Sequence, residues 1–315
     1  HRRLLLSFPV VDLERALAGL AKHPRAASHG QVTMPHPDLP PPRAAYSILD
    51  APPLADDEEI QLDTIPIVIG SAMIYGRETD REPRIEIEGY EEFGLDETIR
   101  TVREAVGDAV GPEPTATETI GEMGSIDLRM GVRWYLARAV EPELRRDLLR
   151  QHFVRFQNET WPSMPLAKFG GKTAREAAAD PNNHRLLLAW LMSVEELIDT
   201  SSFDRIDLDP LRRELGLPER GRLEPAGLNL DRLPPYRFSR LNFAALSDDQ
   251  LTRLMHIARF VGHPYVIRQL IGLKLERSGG ALPPREEYEL RMQRAMMSPH
   301  VAEGRADFER MEQIR

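Results

Sequence analysis

The sequence predicts an α+β fold that is predominantly helical: a small acidic part with a few strands, followed by an irregular helical array. Three observations carry this expectation. Ile85 and Ile87 alternate with Glu86 and Glu88 in RIEIEGY (84–90), and TIPIVIGSAMIYG (64–76) is an apolar run rich in Ile and Val. Beyond residue 96 the apolar spacing becomes three and four. A period of two puts successive side chains on opposite faces of a strand, whereas 3.6 gathers them on one side of a helix. The charge divides near the same point: residues 1–115 hold 21 acidic and 11 basic side chains, net −10, and residues 116–315 hold 29 and 30, net +1. The expected organisation is an acidic α+β part at 1–115 with a Pro-rich extended segment, and a helical domain at 116–315. No period of 20–50 residues recurs, so a regular solenoid is not expected.

The elements follow in chain order. HRRLLLSFPVV opens with two arginines and an apolar run, vaguely like an export signal. Asp12, Glu14 and Arg15 follow at once without a small-residue cleavage site, so a packed strand or loop is expected. A short helix is expected at 12–22, and irregular chain after it to residue 60. The segment from Pro35 to Pro53 is proline-rich and should be extended. The strand at 64–76 carries Pro66, which favours an edge or a strand start, and 84–90 has the pattern of a sheet with one wet face. Asp96 is placed to cap a helix bearing Ile99, Val102, Val106 and Val110. Helices are expected at 126–140 and at 143–158, the second with Leu144, Leu148, His152 and Phe156 on one stripe. Asp180-Pro181 opens another, running to Ile198. Ser247 and Gln250 form a capping box ahead of Leu251, Leu254 and Ile257. Pro264 starts a helix ending at Gly279-Gly280, and helices at 284–298 and 302–314 follow.

Composition removes several kinds of chemistry. With no cysteine, disulfides and cysteine-ligated zinc or iron–sulfur sites are excluded. No apolar run approaches the ~20 residues that span a bilayer, so a cytoplasmic protein without membrane partners is expected. An acidic first part and a neutral second part give no broad basic field, and nucleic acid is not expected as the main ligand.

The stretch KFGGKTAREAA (168–178) poses the question of a phosphate-binding loop. Such a loop reads G-x-x-x-x-G-K-[ST] after a strand, and Leu166 stands where its first glycine belongs. The segment reads instead as the start of a helix. Thr173 and Glu176 have capping-box spacing, and Gly170 and Gly171 allow a sharp turn before it. Trp161, between a helix and the turn carrying Pro162 and Pro165, is expected to be a buried anchor whose indole N–H finds a backbone acceptor.

The same region carries a family resemblance. Trp-Pro, Pro-Leu, Gly-Gly-Lys-Thr and Arg-Glu-Ala, followed by DPNNHRLLLAWL, resemble a segment of a family of uncharacterised bacterial proteins, some of which bear a SEC-C-type zinc motif. The resemblance covers about residues 84–192, and LPPYRFSRLNFAALSDDQL (233–251) is a weaker echo. It implies no activity, and without cysteine the zinc motif is absent. Ala174 stands where that family usually has proline.

Other constellations are weaker. His29, His36 and Asp38 lie close in sequence on the Pro-rich stretch, without a scaffold to converge on a metal. His256 and His263 are seven apart but lack the glutamate of a metalloprotease helix. No metal or other cofactor is expected. No nucleophile motif is found, and the acidic runs Asp56-Asp57-Glu58-Glu59 and Asp248-Asp249 read as a solvated stretch and a helix N-terminal charge patch.

On the penultimate helix Tyr288, Met292 and Met296 recur at i, i+4 and i+8, with Met297 beside them and a strongly charged face opposite. Adaptable methionines of this kind suit a partner surface. The expectation is therefore a structural or protein-interaction module. The alternatives are an enzyme with dispersed catalytic residues, or an RNA- or ribosome-associated protein using Arg145, Arg146, Arg150, Arg155, Arg237 and Arg240.

Overall fold

The computed structural model describes residues 1–29, 41–55, 58–77, 81–131, 133–136, 140–201, 206–298 and 301–314. His36, Asp38, Asp56 and Asp57 lie outside the described residues. The fold is α+β and predominantly helical. It divides into two compact units, His1–Val140 and Glu141–Arg315. The strand at Ala116–Glu122, beyond the expected boundary at 115/116, pairs into the sheet of the first unit.

The first unit contains β1 (Arg2–Pro9), α1 (Leu13–Lys22), β2 (Ala26–Ser28), β3 (Ala44–Leu49), β4 (Val68–Tyr75), β5 (Arg84–Tyr90), α2 (Leu95–Val106), β6 (Ala116–Glu122) and α3 (Ser125–Met130). The strands form one antiparallel sheet in the order β2-β3-β4-β5-β1-β6. The N-terminal apolar run is an interior strand, with Leu6 opposite Ile87 on one side and Thr117 on the other. One face of the sheet is the core. Leu4, Leu6, Phe8, Ile74, Ile85 and Ile87 pack with Ala16 and Leu20 of α1 and Val102 and Val106 of α2. Each such side chain contributes about 1.5–3 kcal/mol when fully buried. The helices lie close together: a Cβ at Gly19 would collide with the carbonyl of Ala105.

Several local expectations change. The N-cap of α2 is Gly94, with φ +93°, and Asp96 sits in the first turn, where its charge faces the positive end of the helix dipole. A Cβ at Gly94 would stand 2.7 Å from that of Ile69, so close approach as well as backbone conformation requires glycine. The helix expected at 126–140 stops at Met130. The chain beyond it is extended against β4, where the Val68 N–H donates to the Arg133 carbonyl at 2.7 Å and the Tyr135 N–H to that of Pro66 at 2.8 Å. Strands β2, β3 and β6 were not expected at all.

The second unit contains α4 (Pro142–Arg155), a π turn (Phe156–Thr160), α5 (Ala174–Ala178), α6 (His184–Ser201) and α7 (Asp209–Glu214). After these come α8 (Asp248–Val261), α9 (Pro264–Ser278), α10 (Pro284–Met296) and α11 (Val301–Ile314), with short 3-10 turns between. Of the stripe expected on the first helix, Leu148 and Phe156 are buried, whereas Leu144 is exposed. Ser247 and Gln250 cap α8 reciprocally, and Gly262, with φ +70°, ends it. Leu254, Ala258, Val266, Leu270 and Ile271 of α8 and α9 form a core with Leu290 of α10 and Phe238. Among the described residues no helix is long and apolar enough to cross a membrane.

Candidate functional site

The GGKT loop closes on itself. Gly170 and Gly171 take φ +66° and +81°. The N–H groups of Gly170, Gly171 and Lys172 donate to the carbonyls of Ala167, Leu166 and Phe169 at 2.9, 3.0 and 3.3 Å. A phosphate cradle needs these amides free and aimed outward; here all three are spent inside the loop. Thr173 Oγ1 accepts from the Glu176 N–H at 3.1 Å, and Glu176 Oε2 accepts from the Thr173 N–H at 2.8 Å. That last bond holds the Glu176 carboxyl below its ordinary range, with the Thr173 hydroxyl adding to it.

Trp161 is 1 % exposed and meets Trp190 edge to face, centroids 6.3 Å apart. Its indole N–H is buried without an acceptor, contrary to the expected backbone bond. In the π turn that precedes it two carbonyls are already engaged. Arg175 Nη2 donates to the Asn158 carbonyl at 2.9 Å, and the Ser163 hydroxyl donates to that of Glu159 at 2.8 Å. Arg175, the arginine of the Arg-Glu-Ala stretch that carries the resemblance, ties α5 to that turn and pairs with Glu214.

The histidines do not converge. His29 Nε2 lies 2.8 Å from Ser47 Oγ on the wet face of the sheet, beside a cavity of about 500 Å³ that Arg3, Ser71, Glu88 and Arg133 also line. A hydroxyl and an imidazole at this distance are half of a nucleophile–base arrangement. A third group fixing the other nitrogen of His29 is not among the described residues, so no reaction is drawn from the pair. His256 is exposed and His263 fully buried, so they share no face. Among the described residues no three His, Asp or Glu side chains could hold a metal ion.

The C-terminal helices hold a groove of about 750 Å³ along α9, α10 and α11. Its charges are paired across the helices. Asp307 on α11, 2 % exposed, accepts from Arg291 Nη1 at 3.1 Å and Arg294 Nε at 2.7 Å. Glu303 accepts from Arg268 Nη1 at 3.0 Å and from the Ser298 hydroxyl at 3.1 Å. Glu287, held below the ordinary carboxylate range mainly by Arg291, is buried and also paired with Arg310. Glu287, Arg291 and Arg294 thus lie on the side of α10 that faces α11, while Arg285 and Glu289 stay exposed.

The methionine stripe takes the opposite position. Met296 is 73 % exposed and Met292 is also exposed, while Tyr288 is half-buried and Met297 packs against the core. Phe260, 88 % exposed, stands at the end of α8, where its neighbour Arg259 reaches Gln293 of α10 at 2.6 Å. Of the proposed RNA-facing arginines, Arg145, Arg146, Arg150 and Arg155 are exposed on α4, whereas Arg237 and Arg240 are half-buried. No family model matches the chain, and no curated protein and no solved structure matches it, so the resemblance over 84–192 brings it neither activity nor partner.

Proposed function

We propose that the chain is a protein-interaction module whose second unit receives a partner on the outer face of α10. One observation carries this reading: α10 turns Glu287, Arg291 and Arg294 inward onto α11 and leaves Met292 and Met296 in water. Amphipathicity alone would pack this helix the other way, because burying charge is costly and exposing methionine forgoes apolar burial. Exposed, flexible methionines on α10, with a further exposed apolar side chain, Phe260, at the end of α8, suit a partner that offers an apolar helix face or ridge. The exposed charges flanking the stripe, Arg285 and Glu289, engage each other at 3.0 Å, which leaves the apolar positions as the discriminating feature.

A photo-crosslinking residue placed at position 296 of the full chain tests this in the native source. The expected result is one dominant crosslinked protein, lost when Met292→Glu and Phe260→Glu are added with the far-ultraviolet dichroism unchanged. Crosslinking spread over many proteins, or a dominant crosslink indifferent to those substitutions, overturns it.

A further inference from the structure

Four arginines meet in the second unit where α6, α7, the chain at 218–221 and the 3-10 turn Pro235–Arg240 come together, and among the described residues only Arg212 hydrogen-bonds a carboxylate there through its guanidinium. Arg212 holds Glu195 through two parallel bonds, Nε to Oε1 at 2.8 Å and Nη2 to Oε2 at 2.9 Å, and sends Nη1 to the Pro218 carbonyl at 2.9 Å. Glu195 is thereby engaged on both oxygens. The side chain of Arg220 is 2 % exposed. Its Nε stands 3.4 Å from Glu195 Oε1 and 3.9 Å from Asp209 Oδ1 without making a hydrogen bond to either. Its Nε and Nη2 are buried and have no acceptor. Asp209 spends that same oxygen on the backbone N–H of Arg220, at 2.9 Å. Arg237 has a buried Nε without an acceptor, and Arg240 engages only the Gly221 carbonyl, through Nε at 3.1 Å.

Among the described residues, four guanidiniums thus face two carboxylates, an excess of two positive charges. The crowding is felt at Arg240, whose guanidinium is held below its ordinary range by burial first and then by Arg237, Arg220 and Arg212, with Glu195 opposing. A buried guanidinium short of acceptors, as at Arg220, is costly, and arginine cannot escape by losing its proton. The forked geometry of guanidinium matches the oxygens of phosphate.

We infer that Arg220, Arg237 and Arg240 form a binding site for a small oxyanion of the phosphate class, with Arg220 at its buried end and the half-exposed Arg237 and Arg240 at its mouth. A doubly charged phosphate balances the excess and offers acceptors to all three forks. A carboxylate supplies one charge and two oxygens. The bidentate Arg212–Glu195 pair braces the site and does not take part in binding.

The test is thermal unfolding and calorimetry of the full chain in phosphate-free buffer, titrated with inorganic phosphate, glycerol phosphate, acetate, or sodium chloride at matched ionic strength. Phosphate is expected to raise the unfolding midpoint with the logarithm of its concentration, as a ligand of the native state does, with chloride and acetate nearly inert. Arg237→Gln/Arg240→Gln, at partly exposed positions, should fold and bind phosphate at least roughly tenfold more weakly. Arg220→Gln should do the same if it folds, and the double variant decides the matter if it does not. Glycerol phosphate binding beside phosphate assigns the site to a phosphorylated metabolite, phosphate alone to the free ion, and either supports the site. A shift matched by chloride, or undiminished in the double variant, overturns it.

Discussion

His263 should make the second unit lose stability as the pH falls below neutrality. The ring is fully buried, stacks on Phe238 with centroids 6.1 Å apart, and has no hydrogen-bond partner at either nitrogen. Burial pushes its pKa down to about 4. In the unfolded chain the imidazole titrates near ~6.5. Between those values the unfolded state binds a proton that the native state refuses. The contribution is therefore complete above about pH 6.5 and lost as the pH falls toward 4. The gap is worth about 3 kcal/mol in full, and about 2 kcal/mol of it is gone at pH 5. Urea unfolding of the full chain measures this, with Trp134→Phe leaving Trp161 and Trp190 to report the second unit. His263→Leu removes the proton site and supplies the reference, since every carboxylate titrates alike in both proteins. The wild type should lose about 2 kcal/mol more than the variant between pH 7 and pH 5. Parallel losses would refute a buried neutral imidazole.

Thr173→Ala should cost about 1 kcal/mol through the lost cap and Thr173→Ser almost nothing, read as the shift in urea midpoint; equal midpoints for all three proteins would remove the capping box as a source of stability. Trp161→Ala should cost about 3–5 kcal/mol, and a protein retaining only this tryptophan should emit to the blue and resist acrylamide. Emission like that of free tryptophan would mark an exposed ring. Asp307→Ala, which strands Arg294 and leaves Arg291 only Glu287, should cost about 3 kcal/mol, while Met296→Glu on the far side of α10 should stay within ~0.5 kcal/mol; the opposite order in chemical denaturation would invert the orientation of the helix. Lys172→Ala should leave the response of the chain to ATP and GTP unchanged in calorimetry, and saturable binding lost with that lysine would restore a nucleotide role to the loop.

Local signals were legible wherever the reason was local. Asp12 ahead of α1 and the reciprocal pairs Thr173–Glu176 and Ser247–Gln250 satisfy backbone N–H groups within four residues, and Pro264 in the first turn of α9 removes an N–H that would have no partner, all of which a sequence displays directly. The alternation of β5 was legible because one face of the sheet is wet. Strands β3 and β6 were not, for opposite reasons. In β3 five of the six residues AAYSIL are buried, so no alternation marks it. In β6 six of the seven residues ATETIGE are exposed, and it is a strand because β1 offers it a hydrogen-bonding edge. A partner 110 residues away in sequence leaves no local trace.

The C-terminal helices reveal a deeper limit. Periodicity separates the two faces of α10 correctly, but it assigns charge to water by default, and here that default is reversed. Glu287, Arg291 and Arg294 point inward because α11 supplies Asp307 and Arg310 as counter-charges. Ion pairing between two helices is a property of neither alone, and the spacing of one cannot announce it. The same reasoning governs the arginines around Glu195. Arg212, Arg220, Arg237 and Arg240 are scattered over nearly thirty residues of unremarkable sequence, in a chain whose basic residues are almost all arginine. Only folding brings them together beside Glu195 and Asp209, two carboxylates already engaged, and only then does the excess of charge exist. On α10 the chain answers its buried charges from within, so what is left over is apolar and outward. At Arg220, Arg237 and Arg240 it does not, and what is left over is a demand for an anion. The first remainder asks for a partner surface, the second for a small ligand, and each can be removed by substitution without touching the other.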